Sequence, residues 1–479
     1  MAFLTRFILA IIFTFVGVLE ASSQQIFPRG LDFDDVSYQQ DLKKARTRAL
    51  EVLPAEASIK QFSPYPKSQG STGTCTAWAS AYCGRTIVDA IKNNWTDRDF
   101  ITSKAYSPAF LFRLLQPVDD VCVGGSNIST AFSLMKDQGV LYYDDLPESC
   151  TPYITQAQID MASKGKIKDY FRLFDPGTSD PAKIQSIKKS ISERKPVVFG
   201  MVCPPSFFDP QEVWQPTEEP LQSYGGHAMC VVGYDDNKFG GVFEIQNSWG
   251  PSWGNSGYIY IKYDDLARFT KYAYEFVDIP VLKPDATDLS GQIRFVLSTG
   301  KEMNTNLFMS TRGLKVVSSK RYATTPGPIT IYKTPEPYKS GTQFRMYITN
   351  NEPAYVYAIS SDLTTEVTKI FPYEEGISAA LTDKKSDVAI PDEDHYIEFD
   401  DKAGRDFLCV LYSKTELNID ELVKKISSQQ GSFNDRVFKV IANDIVSPKN
   451  IQFSADKISF KAKSMGKKLV ALMVELDHK

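Results

Sequence analysis

Three short segments hold the residue types that could do nucleophilic chemistry together. The first is Gln69-Gly70-Ser71-Thr72-Gly73-Thr74-Cys75-Thr76-Ala77-Trp78-Ala79, a glycine-containing loop running into a helix with a cysteine in its first turn. Unpaired peptide N–H groups at a helix start carry partial positive charge and favour a thiolate, the nucleophilic form of cysteine. The second is Tyr224-Gly225-Gly226-His227-Ala228-Met229-Cys230, and the chain has only three histidines, the others being His395 and His478. The third is Gln246-Asn247-Ser248-Trp249-Gly250. Residues 228–234 and 241–247 flank the turn-rich Asp235–Gly240, which predicts a hairpin. Pairing Tyr234 near Gly241 would set His227 opposite Asn247. An amide oxygen there would accept the imidazole N–H and fix its tautomer, and Trp249 would shield that bond. A cysteine nucleophile, a histidine base and an asparagine that orients it are the expectation. Each residue alone would more often be structural.

The elements that must position these residues are a helix after Thr74 and strands near Val231–Tyr234, Val242–Gln246 and Tyr258–Tyr263. The helix has no proline or glycine between Cys75 and Gly84, and spaces Trp78, Tyr82 and Ile87 or Val88 along one face. A second helical run is expected around Asp41–Val52, carrying Leu42, Ala45, Leu50 and Val52. A proline-containing linker at 281–290, opening at Pro280, precedes a change of pattern. Beyond it lie short alternating runs at Gln292–Leu297, Phe344–Thr349, Tyr355–Ile359, Phe407–Tyr412, Ile451–Phe453 and Leu469–Glu475, with one clear helix at Ile419–Ile426. The organisation expected is a leader at 1–23, a short segment at 24–60, a mixed α+β domain at 61–280 and a β-rich region at 291–479. That last region could divide into 335–430 and 431–479.

The three segments resemble the papain family of cysteine peptidases, in a bacterial-type form, whose marks are a Gln-Gly-…-Cys loop, a Gly-His-Ala strand and an Asn-Ser-Trp-Gly strand. Trp253-Gly254 and Gly257-Tyr258 continue the likeness, which spans roughly Leu53 to Ile279. The resemblance implies a helical subdomain facing a β-barrel-like subdomain, with Cys75 and His227 across the cleft. It implies that Gln69 and the Cys75 N–H hold the oxyanion, and that Gly125, in Cys122-Val123-Gly124-Gly125, binds substrate backbone. Gly226 and Trp249 are the other expected substrate-side positions. Hydrolysis of a peptide or protein substrate without cofactor or metal follows. An acyl transferase or ligase on the same scaffold, and a catalytically silent binding protein, are the alternatives. Thr72 and Thr76 depart from the family pattern, which has cysteine and an aromatic residue there. Cys122 must then be free or paired elsewhere, and Cys150 is the nearest candidate. The long inhibitory propeptide of many members has no counterpart in the residues before Gln61.

Composition bounds the rest. The chain has 479 residues, 42% hydrophobic, with a formal net charge of -4, which gives no reason to expect nucleic acid. Arg6 followed by the apolar Phe7–Leu19 and small Ala21-Ser22-Ser23 reads as a signal peptide, too short for a stable transmembrane anchor. A secreted, periplasmic or cell-envelope location is expected. An odd count of seven cysteines leaves at least one thiol outside any intrachain disulfide. Ser340–Ser413 weakly resembles a domain of uncharacterised function found in exported bacterial proteins, on Tyr355-Val356-Tyr357 and Ile370-Phe371-Pro372. A module that binds or anchors to a cell-envelope or protein partner is the expectation for it, with a stabilising appendage as the alternative.

Overall fold

The computed structural model describes residues 27–45, 47–49, 52–119, 121–147, 150, 153–277, 287–310, 329–362, 366–382, 386–392 and 395–479. The leader at 1–23 and most of the linker at 281–290 lie outside the described residues. No helix among those described is long and apolar enough to cross a membrane.

Cys75–Ala77, the π-helical Trp78–Arg85 and Thr86–Lys92 run on as one helix through the centre of the first region. Gly84 interrupts its apolar face for a steric reason: a Cβ there would lie 2.7 Å from the Phe276 ring and 2.9 Å from Val198. A bare backbone lets the helix lie flush on the sheet behind it. Pro108–Leu115 and Ile128–Asp137 flank this helix, each started by a side-chain cap, Ser107 and Asn127.

Opposite stands an eight-stranded sheet among the described residues. Its order is Asp169–Arg172, Thr270–Val277, Val197–Val202, Gly226–Asp235, Val242–Gln246, Tyr258–Lys262 and Val213–Trp214, with Glu56–Ser58 added beside Gly226–Asp235. Both Val197–Val202 and Gly226–Gly233 are buried throughout, so they read as continuous apolar runs rather than alternating ones. One hydrophobic cluster joins helices and sheet, including Phe110, Phe132, Val198, Val231 and Phe243. The architecture is the expected α+β pairing of a helical part with a barrel-like part.

The second region is a sandwich of two seven-stranded sheets among the described residues. Its inner faces meet in one core containing Phe295, Phe344, Val356, Val410, Tyr412 and Leu472. The helices Ile419–Ser427 and Phe433–Ile441 cover the outer face of one sheet, in a cluster that also takes in Phe171 and Val277 of the first region. The second of these helices was not expected, although Phe433, Val437 and Ile441 stand at helical spacing behind the cap Ser432.

Four expectations are corrected. The helix near the N-terminus spans Asp35–Gln40, capped by Asp34, not Asp41–Val52. From Leu42 the chain is extended: Lys43 bridges to Arg172 and Ile377, and Thr47–Ala49 pairs with Ser386–Ile390. Of the apolar residues in question Leu50 lies outside the described residues, while Leu42 packs on one cluster, Ala45 lies inside another and Val52 is exposed, so those described share no helical face. The linker ends early, because the first sandwich strand begins at Leu289. A split at 431 does not occur, since Leu469–His478 lies between Ile329–Lys333 and Gly404–Ser413 and pairs with the latter over its full length. Residues 24–60 are no separate unit; those described are woven through both regions.

Candidate active site

Cys75 opens the central helix and is fully buried. The loop before it is held from both sides. Gln69 N–H donates to the Ser248 carbonyl at 2.8 Å, and Gly73 N–H to the Cys122 carbonyl at 2.7 Å. The two threonines that depart from the family pattern are both used. Thr72 Oγ1 donates to the Gln69 carbonyl at 2.6 Å, and Thr76 Oγ1 to the Ser126 carbonyl at 3.0 Å. Cys122 and Cys150 are joined by a disulfide, and the other five cysteines are free and buried.

His227 sits near the start of the Gly226–Asp235 strand. Its register differs from the expectation: Tyr234 pairs with Phe243, a bulge falls between Val231 and Gly233, and Cys230 pairs with Gln246. His227 and Asn247 are therefore diagonal rather than opposite, on one face of the hairpin. Side-chain reach closes the gap, with His227 Nε2 2.8 Å from Asn247 Oδ1. That oxygen also accepts the Ser248 N–H at 2.7 Å, which identifies it as the acceptor and Nε2 as the protonated nitrogen. Nδ1 is left as the basic nitrogen, buried and with no hydrogen-bond partner among the described residues. The Ala228 N–H, one residue on, bears on the Cys75 sulfur. Trp249 stacks on the imidazole at 4.5 Å between centroids and shields the bond from water.

A strap that sequence reasoning missed covers this pair. Phe27–Asp32 runs along the cleft between its two walls. Leu31 N–H donates to the Gly226 carbonyl at 3.2 Å on one wall, while Ser126 N–H donates to the Gly30 carbonyl at 2.9 Å on the other. Asp32 N–H donates to the Ser126 carbonyl at 3.1 Å. The Gly30 N–H points at Cys75 Sγ, 3.2 Å away. Phe27 stacks on Trp249 at 4.6 Å, and the Pro28 carbonyl accepts from Trp249 Nε1 at 3.2 Å and from Gln69 Nε2 at 3.5 Å. Only glycine fits over the cysteine loop, because a Cβ on Gly30 would lie 1.7 Å from the Gly73 carbonyl oxygen.

The expected site residues thus meet the strap in particular ways. Gly226 accepts the strap's backbone, and Trp249 holds its carbonyl and its aromatic ring. Gln69 turns its amide to the Thr72 carbonyl at 2.7 Å and only secondarily to the strap. Gly125 makes none of the pairing hydrogen bonds, which belong to Ser126; its bare Cα instead leaves room for Asp32, whose carboxylate lies 2.1 Å from where a Cβ would be. Nothing in Phe27-Pro28-Arg29-Gly30-Leu31-Asp32 announces a cleft-bound strand, since its contacts are mainly backbone and a Pro-Arg-Gly run reads as a turn.

Burial decides the electrostatics. It pushes the Cys75 thiol up, against smaller opposing effects of the Ala228 and Gly30 N–H groups. Burial also pushes His227 down to about 4, with the Asn247 bond opposing and the Arg29 charge adding to it. The expected low-pKa thiolate is therefore not the state of the covered cleft, where sulfur and imidazole are both neutral at pH 7.

Residues 65–274 match the family described as papain family cysteine protease, and residues 337–416 match DUF4384, a domain of unknown function. An uncharacterized peptidase C1-like protein of Acanthamoeba polyphaga mimivirus is 29% identical over 214 residues, 42% of this chain and 64% of that protein. Mouse cathepsin K is 27% identical over 200 residues, 40% of this chain and 54% of cathepsin K. The chain therefore spans between half and two thirds of the length of these relatives. Among solved structures it is similar to xylellain, a cysteine protease from Xylella fastidiosa, with TM-score 0.43 and 19% identity, covering 53% of this chain and 96% of the other. Bromelain protease from Ananas comosus gives TM-score 0.37 and 15% identity, covering 47% and 99%.

Proposed function

We propose that this chain, whose residues 65–274 belong to the papain family, is an exported cysteine peptidase held latent by its own residues 27–32. The observation that carries the reading is the His227–Asn247 bond, which supports a proton on Nε2 and leaves Nδ1 without a hydrogen-bond partner, one residue from the Ala228 N–H that bears on the Cys75 sulfur. Once the strap leaves, Nδ1 takes the thiol proton and the sulfur attacks the scissile carbonyl carbon. The Cys75 N–H and the Gln69 amide, released from the Pro28 carbonyl, stabilise the oxyanion. The imidazolium then protonates the leaving amine, and a water deprotonated by Nδ1 cleaves the thioester.

Two features support latency. The group facing the sulfur is an amide N–H rather than a carbonyl carbon, so the strap offers nothing to attack. Both members of the reacting pair are also neutral beneath it. The test is Cys75→Ala, which abolishes peptide hydrolysis while leaving the fold unchanged by circular dichroism. Retained turnover in that variant overturns the assignment. Export follows from the leader at 1–23 and is tested by N-terminal sequencing of the exported protein, which should begin near Gln24.

A further inference from the structure

Arg29 occupies a socket that the peptidase chemistry above does not use. Its Nη1 donates to the Cys203 carbonyl at 2.9 Å and to the Tyr224 carbonyl. Its guanidinium carbon lies 5.2 Å from the centroid of the Phe208 ring. The two carbonyls come from different strand ends, and the Cys203 N–H donates to the Gly225 carbonyl at 3.0 Å, stapling those ends together. Gly225, at φ +80, presents a bare Cα against the guanidinium, with a Cβ position 3.7 Å from its carbon. The 205–208 turn is held separately, its Ser206 N–H and hydroxyl both donating to the Glu218 carboxylate at 2.9 and 2.6 Å. Cys203 is fully buried and Phe208 nearly so. Two fixed carbonyl dipoles and an aromatic face make a cation socket, and the Phe208 ring suits a planar, weakly hydrated guanidinium better than a compact ammonium.

The side of the cleft on which it lies can be derived. His227 must deliver its proton to the leaving amine, so the leaving group departs over His227 and the Trp249 stacked on it. Phe27 and Pro28 lie over that tryptophan, whereas Leu31 lies on the other side, against Gly200 and Ile128. Arg29, next to the Gly30 that faces the sulfur, falls one residue towards the leaving side. We infer that the leaving-group side of the cleft holds a subsite for a cationic side chain, formed by the Cys203 and Tyr224 carbonyls and Phe208, so that preferred peptides carry Arg, and less well Lys, immediately after the scissile bond. The word substrate rests on the peptidase reading; the socket itself does not. A cation seated there has a chemical use as well. Positive charge near His227 makes the imidazolium a stronger acid towards the leaving nitrogen, the direction in which Arg29 already acts on it.

The experiment uses the full chain carrying Gly30→Ala, whose new Cβ cannot pass the Gly73 carbonyl, so that the strap no longer fills the cleft. The peptide Phe-Pro-Arg-Gly-Leu-Asp and its citrulline counterpart, equal in shape but uncharged, are compared as protectants of Cys75 against iodoacetamide. Substrates differing only in the residue after the scissile bond (Arg, Lys, citrulline or Leu) are compared by kcat/KM. Hydrogen bonds to a charged group predict protection at roughly tenfold lower concentration, and roughly tenfold higher kcat/KM, for Arg over citrulline. Phe208→Ala should narrow both contrasts. Equal protection by the two peptides overturns the socket as a cation site. A protection contrast with a flat substrate series overturns the substrate inference and leaves the socket to the strap. If no peptide is hydrolysed while Arg still protects better than citrulline, the peptidase reading fails and the cation site stands.

Discussion

The strap at Phe27–Asp32 and the stretch from Lys43 to Ala49, which follows it beyond the Asp35–Gln40 helix and serves as its far end, are held by different physics. At the cleft end, Gly30 to Asp32 pairs through backbone with both walls, one leucine fills an apolar recess and one arginine sits on carbonyl dipoles. At the other end, Lys43 exchanges backbone hydrogen bonds with Gly376 and Ser378 at 2.6 and 2.9 Å, Ala45 enters the sandwich core, and Thr47–Ala49 extends the Ser386–Ile390 edge. At that same end Lys44 Nζ reaches the fully buried Glu275 carboxylate at 2.8 Å, which also accepts from Lys195 and Ser190 of the first region and Thr382 of the sandwich. The cleft end depends on shape and a few polar contacts, and the far end on sheet pairing, core burial and a desolvated ion pair. Under the latency proposal, a segment held this way should uncover the cysteine by peeling at one end while staying attached at the other.

The comparison is broken most directly at Gly30. Gly30→Ala puts a Cβ into the Gly73 carbonyl, and a contact of 1.7 Å cannot be relieved without moving backbone. The alkylation rate of Cys75 should rise by about a hundredfold or more, since removing the strap costs several hydrogen bonds and the buried Leu31. Mass spectrometry of labelled peptides reads the rate against the buried Cys83, Cys203, Cys230 and Cys409. An unchanged rate would mean that the strap does not govern access.

Acid should act next most strongly. Covered, His227 has its pKa pushed down to about 4; uncovered, it returns towards 6.5. Above pH 6.5 neither state takes the proton, so the covered state is not disfavoured there. As pH falls from 6.5 towards 4 the uncovered state binds a proton that the covered state does not, and the equilibrium moves towards uncovering. The difference is worth at most ~3 kcal/mol, or about two orders of magnitude. The ratio of Cys75 labelling in the natural chain to that in Gly30→Ala should therefore climb across this window. Dividing by the variant removes the thiol's own titration. A ratio that falls with acid would assign control to some other group.

A milder effect belongs to Asn247→Ala, which leaves His227 in place but frees its tautomer and ring. Turnover on a peptide should drop by less than in His227→Ala, and the loss should appear in kcat rather than KM. Equal losses in the two variants would make the asparagine as essential as the base.

What was legible in advance follows the same division. Cys75, His227, Asn247 and Gln69 could be singled out because the proposed chemistry calls for those residue types, in segments that resemble the papain-family pattern. Their spatial meeting was less readable: the turn pairs Tyr234 with Phe243 rather than near Gly241, a one-residue bulge at Val232 follows, and no local pattern marks either. The strap was illegible because glycine and main-chain groups carry its contacts, and such groups look the same everywhere in a sequence. For the sandwich, alternation marked strands such as Phe344–Thr349 and Phe407–Tyr412 but missed Ile329–Lys333, Val367–Phe371, Ser386–Ile390 and Ile458–Ala462, and it gave no strand order. Thr47–Ala49 finds its partner at Ser386–Ile390 across most of the chain, and Leu469–His478 inserts between strands from two distant stretches. Such pairings are decided by tertiary burial, which short-range periodicity does not encode.

The smallest expected effect tests the far end of the strap. Lys44→Met removes one cation from Glu275 while keeping most of the aliphatic stem that packs beside it. Glu275 retains Lys195, Ser190 and Thr382, so its charge is not left unpaired, and the loss is less than the several kcal/mol that follow from stranding a buried charge. Global stability should fall by about 1–2 kcal/mol, read by urea denaturation. Cys75 labelling should change by less than about threefold, because Lys43 and Ala45 still fasten the far end and every cleft contact remains. A Lys44→Met chain that labels as fast as Gly30→Ala would contradict the peeling picture. The strap would then be one cooperative element, released at both ends whenever either is weakened.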